Sequence, residues 1–326
     1  MTVLVTGAAG FIGMHTSEAL LDRGVRVVGI DNLNDYYDVS LKRARLARLE
    51  RRDGFQFRRL DIADRDGVQT LIDSNPDIDR IVHLAAQAGV RYSLENPFTY
   101  LSSNIEGHVV LLEACRSLPR LEHFVYASSS SVYGANTKMP FSIDDRADSQ
   151  VSLYGATKKS MEMISHSYAC IYKLPLTGLR FFTVYGPWGR PDMAYFSFTR
   201  KIVAGEAIPV FNDGHMRRDF TYIDDIVEGI LGCLKRPPSA DGVPGPHQVY
   251  NLGNHRSEAL MDFIGQIEES LGRKASMEFL PMQAGDVKET YADIEASRRD
   301  FGFDPKTTIG EGIPRFITWY REYYGV

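Results

Sequence analysis

The chain has 326 residues, 44% of them hydrophobic and 24% charged, with a formal net charge of −5. That is apolar material for a full core in two domains, or in one large one. The acidic balance, with no basic stripe of interleaved aromatics, excludes a reader of nucleic acid.

Three scattered cysteines, Cys115, Cys170 and Cys233, argue against a disulfide framework and fit a reducing cytosol. An apolar strand already begins at Val3, which leaves no room for a signal peptide. No window approaches the ~20 apolar residues of a membrane span. A cytoplasmic location is expected, with no membrane partner. The eight histidines show no paired metal spacing, and no metal is expected.

In chain order, "TVLVTG" (2–7), "VRVVGID" (25–31), "FQFRRLD" (55–61), "RIVHLAA" (80–86) and "HFVYASS" (123–129) read as strands, being short runs mostly rich in Val, Ile or Phe. Helical patterns separate them, at 11–24 and 39–52 among others. The alternation predicts an α/β fold with a Rossmann-type, doubly wound parallel sheet. Residues 151–173 read as one long helix, followed by a strand at 174–182. Beyond it, Pro, Gly and aromatics crowd "TVYGPWGRPDMAYF". A cofactor domain over 1–180 and a smaller mixed α/β substrate domain over 181–326 are therefore expected. "RDFTYIDDIVEGILGCLKR" reads as a strand entering a helix and "HQVYNLG" as another strand, so the chain is expected to return to the first domain around 221–252.

"GAAGFIG" sets Gly7, Gly10 and Gly13 between the first strand and a helix. Glycines there allow a tight turn and close approach of backbone to a pyrophosphate at a helix N-terminus. Asp31 ends the second strand, at the spacing expected of the carboxylate that takes a ribose 2′-OH and repels a 2′-phosphate. The cofactor expected is NAD. Asp61 reads either as an acid at the adenine end or as the N-cap of the next helix. Tyr154 and Lys158, four apart in "YGATK", share one helix face. An ammonium beside a phenol lowers its pKa and makes it a general base near neutral pH.

"GAAGFIG", "HLAA", "SSVYG" and "YGATK", in this order, resemble the extended short-chain dehydrogenase/reductase family over essentially the whole chain. The resemblance implies a Rossmann domain carrying NAD and a C-terminal domain holding a nucleotide sugar. It implies catalysis by Ser129, Tyr154 and Lys158. It implies cofactor contacts from Gly7, Gly10, Phe11, Ile12, Gly13, Asp31, Asn32, Asp61, Ile62, Leu84, Ala85, Ala86, Asn104, Tyr154 and Lys158. It also implies a homodimer formed through two Rossmann helices, around 96–117 and 151–172.

Relatives that eliminate water from the sugar carry acids directly after the catalytic hydroxyl. Here those positions are Ser130 and Ser131, which cannot move protons at a suitable pKa. Epimerisation through a transient 4-keto sugar, with no net redox change, remains, as does a plain reductase. "DNLNDYYDVSLKRARL", "HLAAQAGVRYSLENP" and "RFFTVYGPWGRPDMA" are similar to the family's UDP-glucuronate 4-epimerases. UDP-glucose epimerases and UDP-glucuronate decarboxylases are the alternatives.

On that resemblance, Ser129, Ser130 and Thr183 hold the uronate carboxylate. Gln87 and Arg91 approach the sugar, Arg91 reading equally as half of a surface ion pair, and Tyr154 its C4 hydroxyl. Val210 and Phe211 pack near uracil, Arg218 and Arg190 contact the diphosphate, and Asp286 contacts the uridine ribose. Two positions depart from the family pattern: Thr183 stands where many relatives have Asn, and Gln283 where many have Arg.

Overall fold

Val3 and Val5 of the first strand join one apolar cluster, and Leu4 between them joins another. Two-sided burial of this kind is what a parallel sheet covered on both faces demands. The computed structural model describes residues 1–282 and 287–326. It holds seven parallel strands: β1 (Thr2–Thr6), β2 (Arg26–Asp31), β3 (Phe55–Arg59), β4 (Arg80–His83), β5 (His123–Ser129), β6 (Leu176–Phe181) and β7 (His247–Leu252). Their order across the sheet is β7-β6-β5-β4-β1-β2-β3. The order reverses between β1 and β4, which opens a crevice at the strands' carboxyl ends.

Helices α1 (Phe11–Asp22), α2 (Val39–Leu49), α3 (Arg65–Asp73), α4 (Gly107–Cys115) and α5 (Leu153–Tyr172) connect the strands. Asp38 caps α2 by accepting from the Ser40 amide at 2.8 Å, and Ser152 caps α5 by accepting from Gly155 at 3.0 Å. The strands expected at 55–61 and 80–86 stop at Arg59 and His83. The residues after each leave the ladder to line the crevice. The expected helix around 96–117 is broken into Pro97–Tyr100, a π-helical turn Leu101–Glu106, and α4.

Past Phe181 the sheet gives way to short strand pairs. Thr183–Tyr185 runs parallel to Phe220–Tyr222, and Ile208–Phe211 parallel to Met277–Leu280; Arg217–Arg218 lies antiparallel to Glu258–Ala259. Helices α6 (Ala194–Ala204), α7 (Ile223–Leu234), α8 (Leu260–Leu271) and α9 (Ile309–Tyr324) surround them, and α7 packs back on α1. Phe316, Trp319 and Tyr320 of α9 are buried in the same apolar cluster as Val3 and Val5. One core therefore runs under both regions and holds the crevice walls together.

Candidate active site

A cavity of about 450 Å³ fills the crevice. One end is built by the loop after β1. Gly7 has φ +72, and a Cβ there would lie 2.9 Å from the Ala85 amide. A Cβ on Gly13 would lie 2.0 Å from the Gly7 carbonyl oxygen. Only bare backbone lets this loop close against β4 and the start of α1.

Asp31 is buried at the same end. Its Oδ1 accepts from the Leu33 amide at 2.8 Å and its Oδ2 from the Ala9 amide at 3.2 Å. Burial raises its carboxyl above the ordinary value, against Lys42 and these two amides. Asn32, Phe11, Ile12, Ile62, Leu84, Ala85 and Ala86 join the wall. Asp61 does not: it accepts from the Asn32 side chain at 2.8 Å and the Ala63 amide at 2.9 Å. Nor is Asp61 the cap of α3, since Asp64 takes that place. Asn104 also stands behind the wall, fully buried in the π-helical turn. Its amide accepts from Gln87 N at 2.8 Å and donates to Gln87 O and Thr157 Oγ1, each at 3.0 Å. It braces the loop that carries Gln87 rather than facing the cavity.

At the other end, α5 brings Tyr154 and Lys158 to the wall beside the strand end Ser128–Ser131. Burial raises the Tyr154 phenol, while a hydrogen bond with Ser129 and the charge of Arg190 pull it down. Ser129 Oγ also accepts from the Ser131 amide at 3.1 Å, so one hydroxyl both caps the strand end and meets the phenol. Lys158 Nζ donates to the Ala127 carbonyl at 2.7 Å, and burial pulls its pKa down to about 7. Arg190 lowers the phenol and Asp192 raises it, and Lys158, expected beside the phenol from the helix spacing, stands on the same wall with its ammonium on the Ala127 carbonyl.

Ser128, one residue earlier, is on the same wall, but its hydroxyl is committed elsewhere. It donates to Glu162 Oε1 at 2.6 Å, and Arg180 grips the same carboxylate with two bonds of 2.8 Å. Burial pushes Glu162 up, but the Arg180 bonds and charge, with the Ser128 hydroxyl, hold it below its ordinary value. This buried pair anchors the end of β5 to α5 and β6.

Gln87, Ser130, Thr183, Arg190 and Arg218 line the cavity. Thr183 is held there by its amide, which donates to Asp219 O at 3.1 Å. Arg91 is exposed and lies over the Phe211 ring, 4.9 Å from its centroid. Val210 is buried in the core. None of Arg91, Val210 and Phe211 is on the cavity wall. Asp286, expected at the uridine ribose, lies outside the described residues. Sequence reasoning missed Tyr36, Tyr37 and Lys42, wall residues from the segment after Asp31, and Met193, Val287 and Thr290, also on the wall. For Lys42 the signal was present, a basic residue one helical turn into the segment after Asp31.

Among the described wall residues Asp31 is the one carboxylate, whereas Lys42, Lys158, Arg190 and Arg218 are cationic.

Residues 3–253 match the family model "NAD dependent epimerase/dehydratase family". The chain belongs to the NAD dependent epimerase/dehydratase family. It is 51% identical to UDP-glucuronate 4-epimerase 2 of Arabidopsis thaliana, over 99% of this chain and 76% of the plant protein. It is 50% identical to Protein CapI of Staphylococcus aureus over 99% of each. The solved structure of UDP-glucuronic acid 4-epimerase from Bacillus cereus, in complex with UDP-glucuronic acid and NAD, superposes with a TM-score of 0.91. It shares 36% identity over 99% of this chain and 100% of that one. The cradle fits the NAD of this epimerase/dehydratase family: three glycines where a Cβ would clash or crowd the loop, a helix N-terminus, and a buried acid positioned for a ribose.

Proposed function

We propose that this chain interconverts UDP-glucuronate and UDP-galacturonate by NAD-dependent epimerisation at C4. One observation carries the reading: the sugar end of the wall holds a Tyr–Ser pair and cationic side chains, and its described residues include no carboxylate. Elimination needs a further acid and base beside Tyr154, and no carboxylate among the described wall residues at this end supplies one, while an anionic uronate diphosphate suits Arg190 and Arg218.

The residues that would hold NAD are Gly7, Gly10, Phe11, Ile12 and Gly13 at the pyrophosphate, Asp31 and Asn32 at the ribose, and Leu84, Ala85 and Ala86 toward the nicotinamide. Bound there, the nicotinamide supplies hydride exchange. Tyr154 Oη takes the proton of the C4 hydroxyl as the 4-keto sugar forms, and returns it to the epimer. Ser129 hydrogen-bonds the reacting oxygen and the phenol together. Arg190 supports the phenolate. Ser130 and Thr183, neutral donors beside Ser129, hold the C5 carboxylate out of line with the C4 carbonyl. A β-keto acid held so does not lose carbon dioxide.

Residues 1–180, with 221–252, form the cofactor unit, and the remainder of 181–326 forms the substrate unit. The thiols of Cys115, Cys170 and Cys233 are free, in keeping with a cytoplasmic enzyme. Leu94, Phe98, Leu101, Met163 and Ile171 are exposed on and beside the π-helical turn and on α5. We assign this apolar face to a homodimer.

Proton NMR of the products from UDP-glucuronate tests the function. UDP-galacturonate is the expected product. A UDP-pentose with carbon dioxide would make the chain a decarboxylase. Turnover of UDP-glucose alone would make it a glucose epimerase.

A further inference from the structure

Arg45 is fully buried in α2, and nothing in the chemistry above uses it. A guanidinium carries five N–H donors, and all five find acceptors. Nε donates to Trp188 O at 3.0 Å, and Nη2 donates to Trp188 O at 2.7 Å and to Gly189 O at 2.9 Å. Nη1 donates to Ala9 O at 3.2 Å and to Tyr37 Oη at 2.6 Å. Ala9 lies inside the glycine loop, between Gly7 and Gly10. Gly189 immediately precedes Arg190.

The preceding carbonyl is taken as well. Pro187 O lies 3.0 Å from His15 Nε2 of α1; a carbonyl only accepts, so this ring nitrogen carries the proton. Three consecutive carbonyls, 187 to 189, are thus bonded by side chains of the two helices that flank the glycine loop. Trp188 is held at φ +63, a left-handed conformation that a non-glycine residue adopts at a cost. Its ring is wedged against Trp319 and Tyr323 of α9, with centroids 5.2 Å apart in each case. Beyond the pinned segment, Arg190 Nη2 donates to Asp192 Oδ2 at 2.9 Å, and Tyr36 Oη donates to the same oxygen at 3.3 Å. Arg190 therefore follows a backbone bonded at three consecutive carbonyls and is steadied by a carboxylate tied to the loop after β2.

We propose that Arg45 is a positioning residue that couples the glycine loop to Arg190, so that the cofactor end and the sugar end of the cavity are set by one guanidinium. The inference rests on the reading of Arg190 as the cation beside Tyr154 and the substrate. A lysine at this position keeps the charge but cannot span Ala9, Trp188 and Gly189 together.

The test is a double-mutant cycle of Arg45→Lys and Arg190→Ala, assayed with whichever UDP-sugar the wild-type enzyme turns over. Arg45→Lys is expected to lower kcat/KM by about 10- to 100-fold, as displaced positioning groups do. It should also weaken NAD retention and move the acid limb of the pH profile to higher pH, because the charge that lowers the Tyr154 phenol is no longer held. In the Arg190→Ala background the same change should cost less than about threefold and leave the pH limb in place. Equal losses in both backgrounds, or no loss from Arg45→Lys, would overturn the proposal. If Arg45→Lys does not fold, Tyr37→Phe, which removes one acceptor, decides by the same comparison. A loss confined to the Arg190 background supports the coupling, and an equal loss or none refutes it. Failure of the functional reading shows separately, as the wrong product in wild-type NMR or as no effect of Arg190→Ala alone.

Discussion

The two ends of the cavity are assembled differently. The cofactor end is made of short stretches, each at or directly after a strand end: 7–13 after β1, 31–34 at the end of β2, and 84–86 after β4. The sugar end is made of single residues and short pieces from remote parts of the chain. Ser128–Ser131, Tyr154, Thr183, Arg190, Arg218 and Thr290 arrive from separate elements. A local loop needs its own glycines and caps. An assembled wall needs buried ties between elements, and Arg45, Glu162 with Arg180, and Asp219 are those ties. Asp219 accepts from the Asn254 and Ala292 amides at 2.5 and 3.1 Å.

Four substitutions break or sharpen this contrast. Tyr154→Phe strikes the sugar end alone and should lower kcat about a thousandfold, with the NAD content of the purified protein unchanged. Loss of NAD in that variant would show that the two ends are not separable at this residue.

Glu162→Gln tests the ties. Removing one member of a buried pair should destabilise the fold by about 3 kcal/mol, read as a lower Tm. The wild-type carboxylate sits below its ordinary 4.5, so its contribution is complete above that pH and is lost as pH falls through the depressed value. The Tm gap between wild type and variant should therefore narrow only in acid. A gap that stays constant down to pH 3 would remove ionisation from the account.

Gly13→Ala strikes the cofactor end. Overpacking against the Gly7 carbonyl should cost about 2 kcal/mol and lower the NAD stoichiometry measured by absorbance after denaturation. Ser129→Ala is the mildest. Losing one hydrogen bond to the phenol should cost about tenfold in kcat and move the acid limb of the rate profile upward, since that bond lowers the Tyr154 pKa.

Reading the sequence located the cofactor end well, because its signals are local. Strand, glycine turn, helix and strand-end acid follow one another within the first 31 residues. It was weaker where a role depends on a distant partner. Asn104 carries the right residue type for a ligand contact, yet its amide is used up on Gln87 and Thr157. Val210 sits in a segment resembling a uridine site, yet its own side chain packs into the core. Arg45 gave no signal, being one of several basic residues in "LKRARLARLERR", and only its burial and its bonds to Ala9, Trp188 and Gly189 set it apart from them.

Pattern and spacing along the chain alone determined the parallel sheet, the dinucleotide cradle and the Tyr154–Lys158 helix face, because each follows from backbone geometry over a few neighbouring residues. Tertiary structure decided which distant charges reach the phenol and what holds the sugar end in place. Lys158 is turned to the Ala127 carbonyl and Arg190 is delivered by Trp188 and Gly189, and electrostatic influence depends on distance through space, which spacing along the chain does not encode.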